Sequence, residues 1–358
     1  MRSKVYFISL IENDPAQVAS LKLKKLLEAS KIFDFVSGQV PAAIKLHFGE
    51  EGNTGFVKPH FLKIVSDALK EKGALPFLSD TNTLYRGRRT NSTDHKVLAY
   101  EHGFTESATG ARVVIPDDHD KDCAVSVEIN GKIFKNVSVA RVYVESPVFI
   151  GVAHFKGHMM TGFGGALKNV GMGSATRSGK LAQHSDVAPV VIFKNCTGCA
   201  ACYAVCPVQA ITIVNKKSVI DGAKCIGCAS CIAACKFSAM DVNWGPGADL
   251  IQEKMVEHAL GVLKNKKEAS VFINFAIKIT KECDCLAKDD PRVCPDIGIF
   301  ISRDPVSVDK ACLDVVIKTC GRDIFKELHP ERDGLKQLRH AASLGLGCLE
   351  YELISDEK

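Results

Sequence analysis

Cys196-Thr-Gly-Cys199-Ala-Ala-Cys202-Tyr-Ala-Val-Cys206 and Cys225-Ile-Gly-Cys228-Ala-Ser-Cys231-Ile-Ala-Ala-Cys235 share one spacing, and each cysteine of the second run lies 29 residues after its counterpart. Such a repeat marks two copies of one supersecondary unit. Three thiolates two residues apart let a tight loop surround three corners of a metal-sulfide cubane, while the fourth points to the centre of the other half. The spacing therefore predicts two [4Fe-4S] clusters. Cys196, Cys199, Cys202 and Cys235 would hold the first, and Cys225, Cys228, Cys231 and Cys206 the second. Gly198, Ala200, Ala201, Gly227, Ala229 and Ser230 leave room between the ligands for sulfide and for amide donors. Pro207 follows Cys206 as such runs expect, whereas Lys236 follows Cys235, a departure that leaves the ligand set intact. Zinc knuckles use paired CxxC, but four cysteines with a final three-residue gap, repeated in register, fit zinc poorly. Disulfides belong to secreted chains, and Met1 to Leu10 shows neither a cleavable apolar core nor a small-residue cleavage site.

Residues 191–243 suffice for that repeat in a chain of 358, so a much larger structure surrounds it. The composition, 46% hydrophobic and 24% charged, is that of a globular protein, with no uncharged apolar stretch long enough to span a bilayer. A cytoplasmic location is expected. The net charge of +5 is scattered, which argues against nucleic acid as a partner and leaves a redox donor or acceptor protein as the expected one. Within the repeat, lysines 194, 216, 217, 224 and 236 face only Asp221 and Asp241, an excess that offsets anionic clusters and that ordinary solvated lysines explain equally well.

Strand-like and helical runs alternate on both flanks. Before the repeat, strands are predicted at 5–10, 42–47, 75–79, 113–115, 124–129 and 148–153, and helices at 15–29, 59–71 and 94–102. After it, helices are predicted at 250–263, 305–320 and 335–344 and strands at 270–275, 297–301 and 348–354. This pattern predicts an α/β fold, a mixed or mostly parallel sheet flanked by helices, with an inserted α+β two-cluster ferredoxin module. The division is 1–190 and 244–358 for the two parts of the α/β domain and 191–243 for the insert, entered through Lys180 to Pro189 and left through Trp244 to Gly247.

Seven cysteines remain. Cys123, Cys312, Cys320 and Cys348 fit small buried hydrophobes on predicted elements or their edges. Cys283 and Cys285 differ, because their CxC lies in a polar loop after a predicted strand, where α/β sheets hold ligands. With Cys294 they form a candidate third metal or cluster site, the alternatives being a reactive dithiol or plain structural thiols. Glycines 162, 164 and 165 suit an anion cradle at a helix start or close packing of that helix, and neither a Walker motif nor GxGxxG is present. Three polar stretches, 45–53, 80–89 and 303–309, each follow a predicted strand and are expected to converge on one cleft with the CxC loop. His47, Arg88, His154, His158 and Lys168 are the candidate contacts for a small anionic substrate there, with His184 a further candidate ligand, although a lone histidine is more often structural.

Lys45-Leu-His-Phe-Gly-Glu, Tyr85-Arg-Gly-Arg-Arg, His154-Phe-Lys-Gly-His, Gly164-Gly-Ala-Leu-Lys-Asn, the doubled cysteine run, Glu282-Cys-Asp-Cys and Asp296-Ile-Gly-Ile-Phe together resemble the uncharacterised Fe-S centre proteins. These form domain of unknown function family 362, many of whose members carry a bacterial-type two-cluster module. The resemblance covers nearly the whole chain and implies an anaerobe-type cytoplasmic redox protein; it supplies no reaction and no role for Cys294. Two functions are consistent with these residues. One is an iron-sulfur oxidoreductase that passes single electrons to a metal- or substrate-binding cleft. The other is a non-catalytic electron carrier or cluster-delivery protein whose α/β part is a docking surface.

Overall fold

The computed structural model describes residues 2–12, 14–116, 123–185, 188–243 and 248–355. Eight strands drawn from both flanks of the cysteine repeat pair into one sheet: β1 (Ser3–Ser9), β2 (Pro41–Lys45), β3 (Leu75–Ser79), β4 (Arg112–Val114), β5 (Val148–His154), β6 (Ser270–Ala276), β7 (Gly298–Ser302) and β8 (Tyr351–Ser355). Their order is β8-β1-β7-β6-β5-β2-β3-β4. β7 runs antiparallel to both neighbours, and every other adjacent pair is parallel. The expected mixed, mostly parallel α/β sheet is found. β1 lies between β8 and β7, so neither flank of the chain could build this sheet alone.

Both faces are covered, which is why the central strands are apolar without a break. One face sets Ala42, Ile44, Val148, Ile150, Val152, Val271, Ile273 and Ile299 against the helices Ala16–Ser30 and Pro59–Glu71. Alternate residues, Ala43, Phe149, Phe272 and Phe300, face Ala166–Gly171, Ile251–Leu263, Pro305–Cys320 and Leu335–Ser343. The first two of these helices touch backbone to backbone: a Cβ at Gly171 would lie 2.1 Å from the Met255 carbonyl oxygen.

Three expectations shift. The strand at Ala124–Glu128 leaves the main sheet and pairs with Asn136–Ala140 in a separate hairpin. The turn of that hairpin donates the Lys132, Ile133 and Phe134 amides to the buried Glu257 carboxylate. The proposed entry to the insert is partly helical, since Arg177–His184 forms a helix that includes Lys180. The proposed exit, 244–247, lies outside the described residues, as do 186 and 187. Finally, the glycine run is not an anion cradle. The Ala166 and Leu167 amides that open the helix donate to Asp309 at 2.6 and 3.0 Å, so a carboxylate of the protein itself takes that place.

The cysteine segment keeps its 29-residue symmetry down to backbone dihedrals. Left-handed conformations recur in pairs at Gly198 and Gly227 (φ 71° and 68°), Ala200 and Ala229 (61° and 58°), and Gln209 and Ser238 (51° and 52°). For a non-glycine residue such a conformation is costly, and pairing it across the repeat marks it as built rather than accidental. The halves are also crossed: the Ile192 amide donates to the Ala239 carbonyl, and the Asp221 amide to the Ala210 carbonyl, each at 2.8 Å.

Asp309 sets a pH dependence. Burial pushes its carboxyl up to about 6, against the opposing effect of its amide and Asn274 donors. The folded chain then holds this proton more tightly than the unfolded chain does, so this group lowers stability as pH rises from about 4 to about 6 and adds no further change above that. The contribution is about 3 kcal/mol at most. Urea unfolding of the wild type and Asp309→Asn at pH 4 and pH 7 should show the wild type losing ground to the variant at the higher pH; a difference independent of pH would contradict the assignment.

Candidate functional site

Because β2, β3, β5 and β6 run parallel, their C-terminal ends emerge on one edge of the sheet. There they enclose a cavity of about 340 Å³, a size suited to a small-molecule ligand. Lys45 and His47 come from the end of β2, Asp80 and Arg89 from the loop after β3, and His154, Lys156 and His158 from the end of β5 and beyond. Lys168 and Lys180 come from the two helices of the glycine run, and Cys285 from the loop after β6. The third polar stretch does not join them. β7 is antiparallel, so its C-terminal end emerges on the opposite edge, where Asp304 caps a helix by accepting from the Val306 and Ser307 amides.

The CxC loop is held close to the extension of β5. Gly157 donates its amide to the Thr280 carbonyl at 2.9 Å, and a Cβ there would lie 2.2 Å from the Lys281 carbonyl oxygen. Between the two cysteines, buried Asp284 accepts from Lys156 Nζ at 3.0 Å and pairs with His154 Nδ1 at 2.8 Å. Burial alone would raise this carboxyl, but His154 and Lys156 together hold it well below the ordinary range. His154 Nε2 meets the Ile277 carbonyl at 2.8 Å, so both ring nitrogens are engaged and His154 positions Asp284 instead of meeting a ligand.

A second buried pair, Lys45 Nζ with Asp80 Oδ1 at 2.9 Å, stands beside Arg89, whose Nε reaches Glu50 at 3.0 Å. Burial pushes Asp80 up, yet Lys45, His47, His95 and Arg89 together hold it low. His47 accepts the Gly49 amide at Nδ1, which puts its proton on Nε2, a buried donor with no hydrogen-bond partner among the described residues. Burial, followed by the charge of Arg89, pushes its imidazolium form far down, so the ring is neutral. Lys168 has no carboxylate partner among the described residues. Its Nζ lies 3.8 Å from Cys283 Sγ, and burial followed by repulsion from Lys156 lowers it to about 7.

His158, Cys283 and Cys285 bring three ligand atoms within 4.8 Å of one another, the one such group among the described residues. His158 Nδ1 is taken by the Met160 amide and the Thr161 hydroxyl, which leaves Nε2 for that role. In this structure Cys283 and Cys285 are joined as a disulfide, so a metal could bind there only after reduction.

The eight cysteines of the repeat form no disulfides. Cys206 of the first run lines the same small cavity as Cys225, Cys228 and Cys231 of the second. Cys206 and Cys235 each accept an amide at 3.2 Å, from Ala210 and Ala239 respectively. The loop after β3 links this unit to the cleft. Leu84 lines the cleft and also packs in the apolar cluster containing Cys202 and Cys231. Tyr85 donates to the Cys285 carbonyl at 3.1 Å, and Arg86 to Ser238 Oγ at 3.1 Å.

A family model described as a domain of unknown function, DUF362, matches residues 42–314. The chain belongs to the DUF362 family. No functionally curated protein matches it. Among solved structures it is similar to the lactate racemase apoprotein of Thermoanaerobacterium thermosaccharolyticum, at 13% identity and a TM-score of 0.42, over 77% of this chain and 51% of that one. It is also similar to a Thermotoga maritima protein, at 15% identity and a TM-score of 0.41, over 90% and 61%. The chain thus spans between half and two thirds of the length of either. No described helix of this DUF362 protein is long and apolar enough to cross a membrane.

Two expectations for this DUF362 chain are corrected. Cys294 does not join the CxC pair. The chain returns toward β7 through a bridge between Thr280 and Arg292, which carries Cys294 into the helix-side core with its sulfur 2.9 Å from that of Cys320. Arg88 pairs at the surface with Glu101 and Glu51, while its neighbour Arg89, drawn by the buried Glu50 carboxylate, enters the cleft. Of the other candidates, His47, His154, His158, Lys168 and His184 all line the cleft. Asp284, which holds the loop in place, was not singled out by the sequence reading; a carboxylate set between two cysteines was the available signal.

Removing Asp284 as Ala would leave His154 and Lys156 buried without their counter-charge. A loss of about 3 kcal/mol or more in unfolding free energy is expected, while Arg88→Ala leaves the urea midpoint where it is; equal effects of the two changes would contradict this reading of the loop.

Proposed function

We propose that this DUF362 protein is an iron-sulfur oxidoreductase in which single electrons pass through two [4Fe-4S] clusters to the cationic cleft. The observation that carries it is the crossed cysteine arrangement, with Cys206 facing the same cavity as Cys225, Cys228 and Cys231. That is the ligand exchange expected of a two-cluster ferredoxin module. In this reading Cys196, Cys199, Cys202 and Cys235 hold the other cluster, residues 191–243 form the inserted module, and 1–190 with 244–358 form one α/β domain. The donor set fits such groups: eight cysteines free of disulfides, with an amide donated to Cys206 and to Cys235. When bound, the clusters supply one-electron chemistry at a potential tuned by those donors.

The chain's own residues do the rest. Leu84 forms an apolar step between the module and the cleft, and Arg86 and Tyr85 fix its loop to both. In the cleft, Lys168 and the Nε2 proton of His47 face a small anionic substrate, with Lys45 and Arg89 behind them. A recessed cavity with five lysines and arginines among its lining residues favours this reading over a carrier whose α/β part only docks a partner. A redox protein as electron donor and a cytoplasmic location complete the proposal.

The test is metal and sulfide analysis of the chain purified without oxygen. About eight irons and about eight sulfides per chain are expected, falling by roughly half in Cys199→Ser. Zinc without sulfide would overturn the proposal.

A further inference from the structure

We infer that Cys283 and Cys285 are a redox-active disulfide/dithiol couple, the two-electron acceptor to which the single electrons of this chain are delivered. The inference rests on the iron-sulfur reading above and goes beyond it by naming what is reduced. The bond joins residues only two apart, and closing so small a loop removes little entropy from the unfolded chain, so stapling is not its use. The loop is in any case held by other means: the Val293 amide on the Ile279 carbonyl, the Gly157 amide on the Thr280 carbonyl and the Asp284 pairs.

The surroundings favour the reduced form. Lys168 Nζ lies 3.8 Å from Cys283 Sγ, and the Cys285 amide donates to the same sulfur at 3.3 Å, two donors placed to stabilise a thiolate. Cys285 lines the cleft, and its carbonyl is bonded by Tyr85, the residue next to the Leu84 that shares an apolar cluster with Cys202 and Cys231. The contrast within the same chain is Cys294 and Cys320. Their sulfurs lie 2.9 Å apart without a disulfide, neither pairs with a cation among the described residues, and burial pushes the Cys294 thiol up to about 12. Proximity alone therefore does not set the CxC pair apart; its ammonium and its place in the cleft do.

The step balances. The Cys283–Cys285 sulfur bond takes up two electrons and breaks to two thiolates, and two protons from solvent give two thiols. The electrons come one at a time from a low-potential one-electron donor of the reduced-ferredoxin class, and two clusters of one electron each match the demand of one disulfide.

The test uses the full chain purified without oxygen, titrated with reduced methyl viologen, alkylated with iodoacetamide and digested with trypsin. The peptide from Glu282 to Lys288 carries both cysteines and reports the couple directly. It should take no label before reduction and two labels after, and the titration should consume about four electrons per chain, falling to about two in the doubly substituted Cys283→Ser, Cys285→Ser chain with iron unchanged. Lys168→Gln should shift the midpoint of the couple to more negative potential, since a cation that stabilises the thiolates is gone. A pair left unlabelled while a full iron content is reduced overturns this inference alone. So does a stoichiometric metal ion found on the two cysteines as purified. An iron-free chain overturns both readings, and iron is measured on the same samples.

Discussion

Asp284 lies between Cys283 and Cys285 with a side chain only 2% exposed, bonded to His154 on one oxygen and to Lys156 on the other. A carboxylate so deeply buried must keep its counter-charges, and they in turn must keep it, so the loop after β6 and the extension of β5 form one unit. The hairpin from Lys156 to Gly164 follows from that contact, because Gly157 can approach the Lys281 carbonyl only without a side chain. His158 and Lys168 are thereby brought beside the CxC sulfurs from a segment more than a hundred residues away. The local geometry of the cleft is a consequence of placing one charge where water cannot reach it.

The sheet supplies the other half of that constraint. Its central strands are covered on both faces, so a charged residue in them finds a polar environment only at a strand end. Lys45 is the last residue of β2 and His154 the last of β5, and Asp80 directly follows β3. Four parallel strands ending on one edge gather those residues into a single cavity, and the reversal of β7 excludes the fifth polar loop from it. The loop after β3 then has two tasks, since Arg89 serves the cleft while Leu84 and Arg86 hold the cysteine unit.

Much of this was legible in the sequence. Alternation of apolar runs with helical periodicity points to the α/β class and to all eight main-sheet strands, because strand burial and composition are tied by simple sterics. The 29-residue repeat has its counterpart in the paired left-handed backbone conformations of the two halves. What stayed hidden was direction and long-range pairing. Nothing local in Gly298–Ser302 says that this strand runs backwards, so the polar loop after it looked equivalent to the others. The glycines of 162–165 read equally as cradle or packing, and the deciding group, Asp309, lies more than 140 residues downstream. Arg88 and Arg89 are adjacent and alike, and which of them turns inward depends on a Glu50 carboxylate that only the fold brings near.

The charge of the cleft connects these points to chemistry. Lys45, Arg89, Lys156, Lys168 and Lys180 stand against Asp80, Asp284 and Glu50, an excess of cations among side chains that are mostly buried. Lys168 has no carboxylate partner among the described residues, and burial followed by repulsion from Lys156 weakens its ammonium, to about 7. By linkage, any negative charge gained next to it is stabilised by the same interaction that would restore its proton. Cys283 Sγ is the nearest atom able to gain such a charge without leaving the protein, and a small anion in the cavity is the other. Electron uptake and anion binding would therefore draw on the same lysine, so that each is strongest where the other has not already satisfied it.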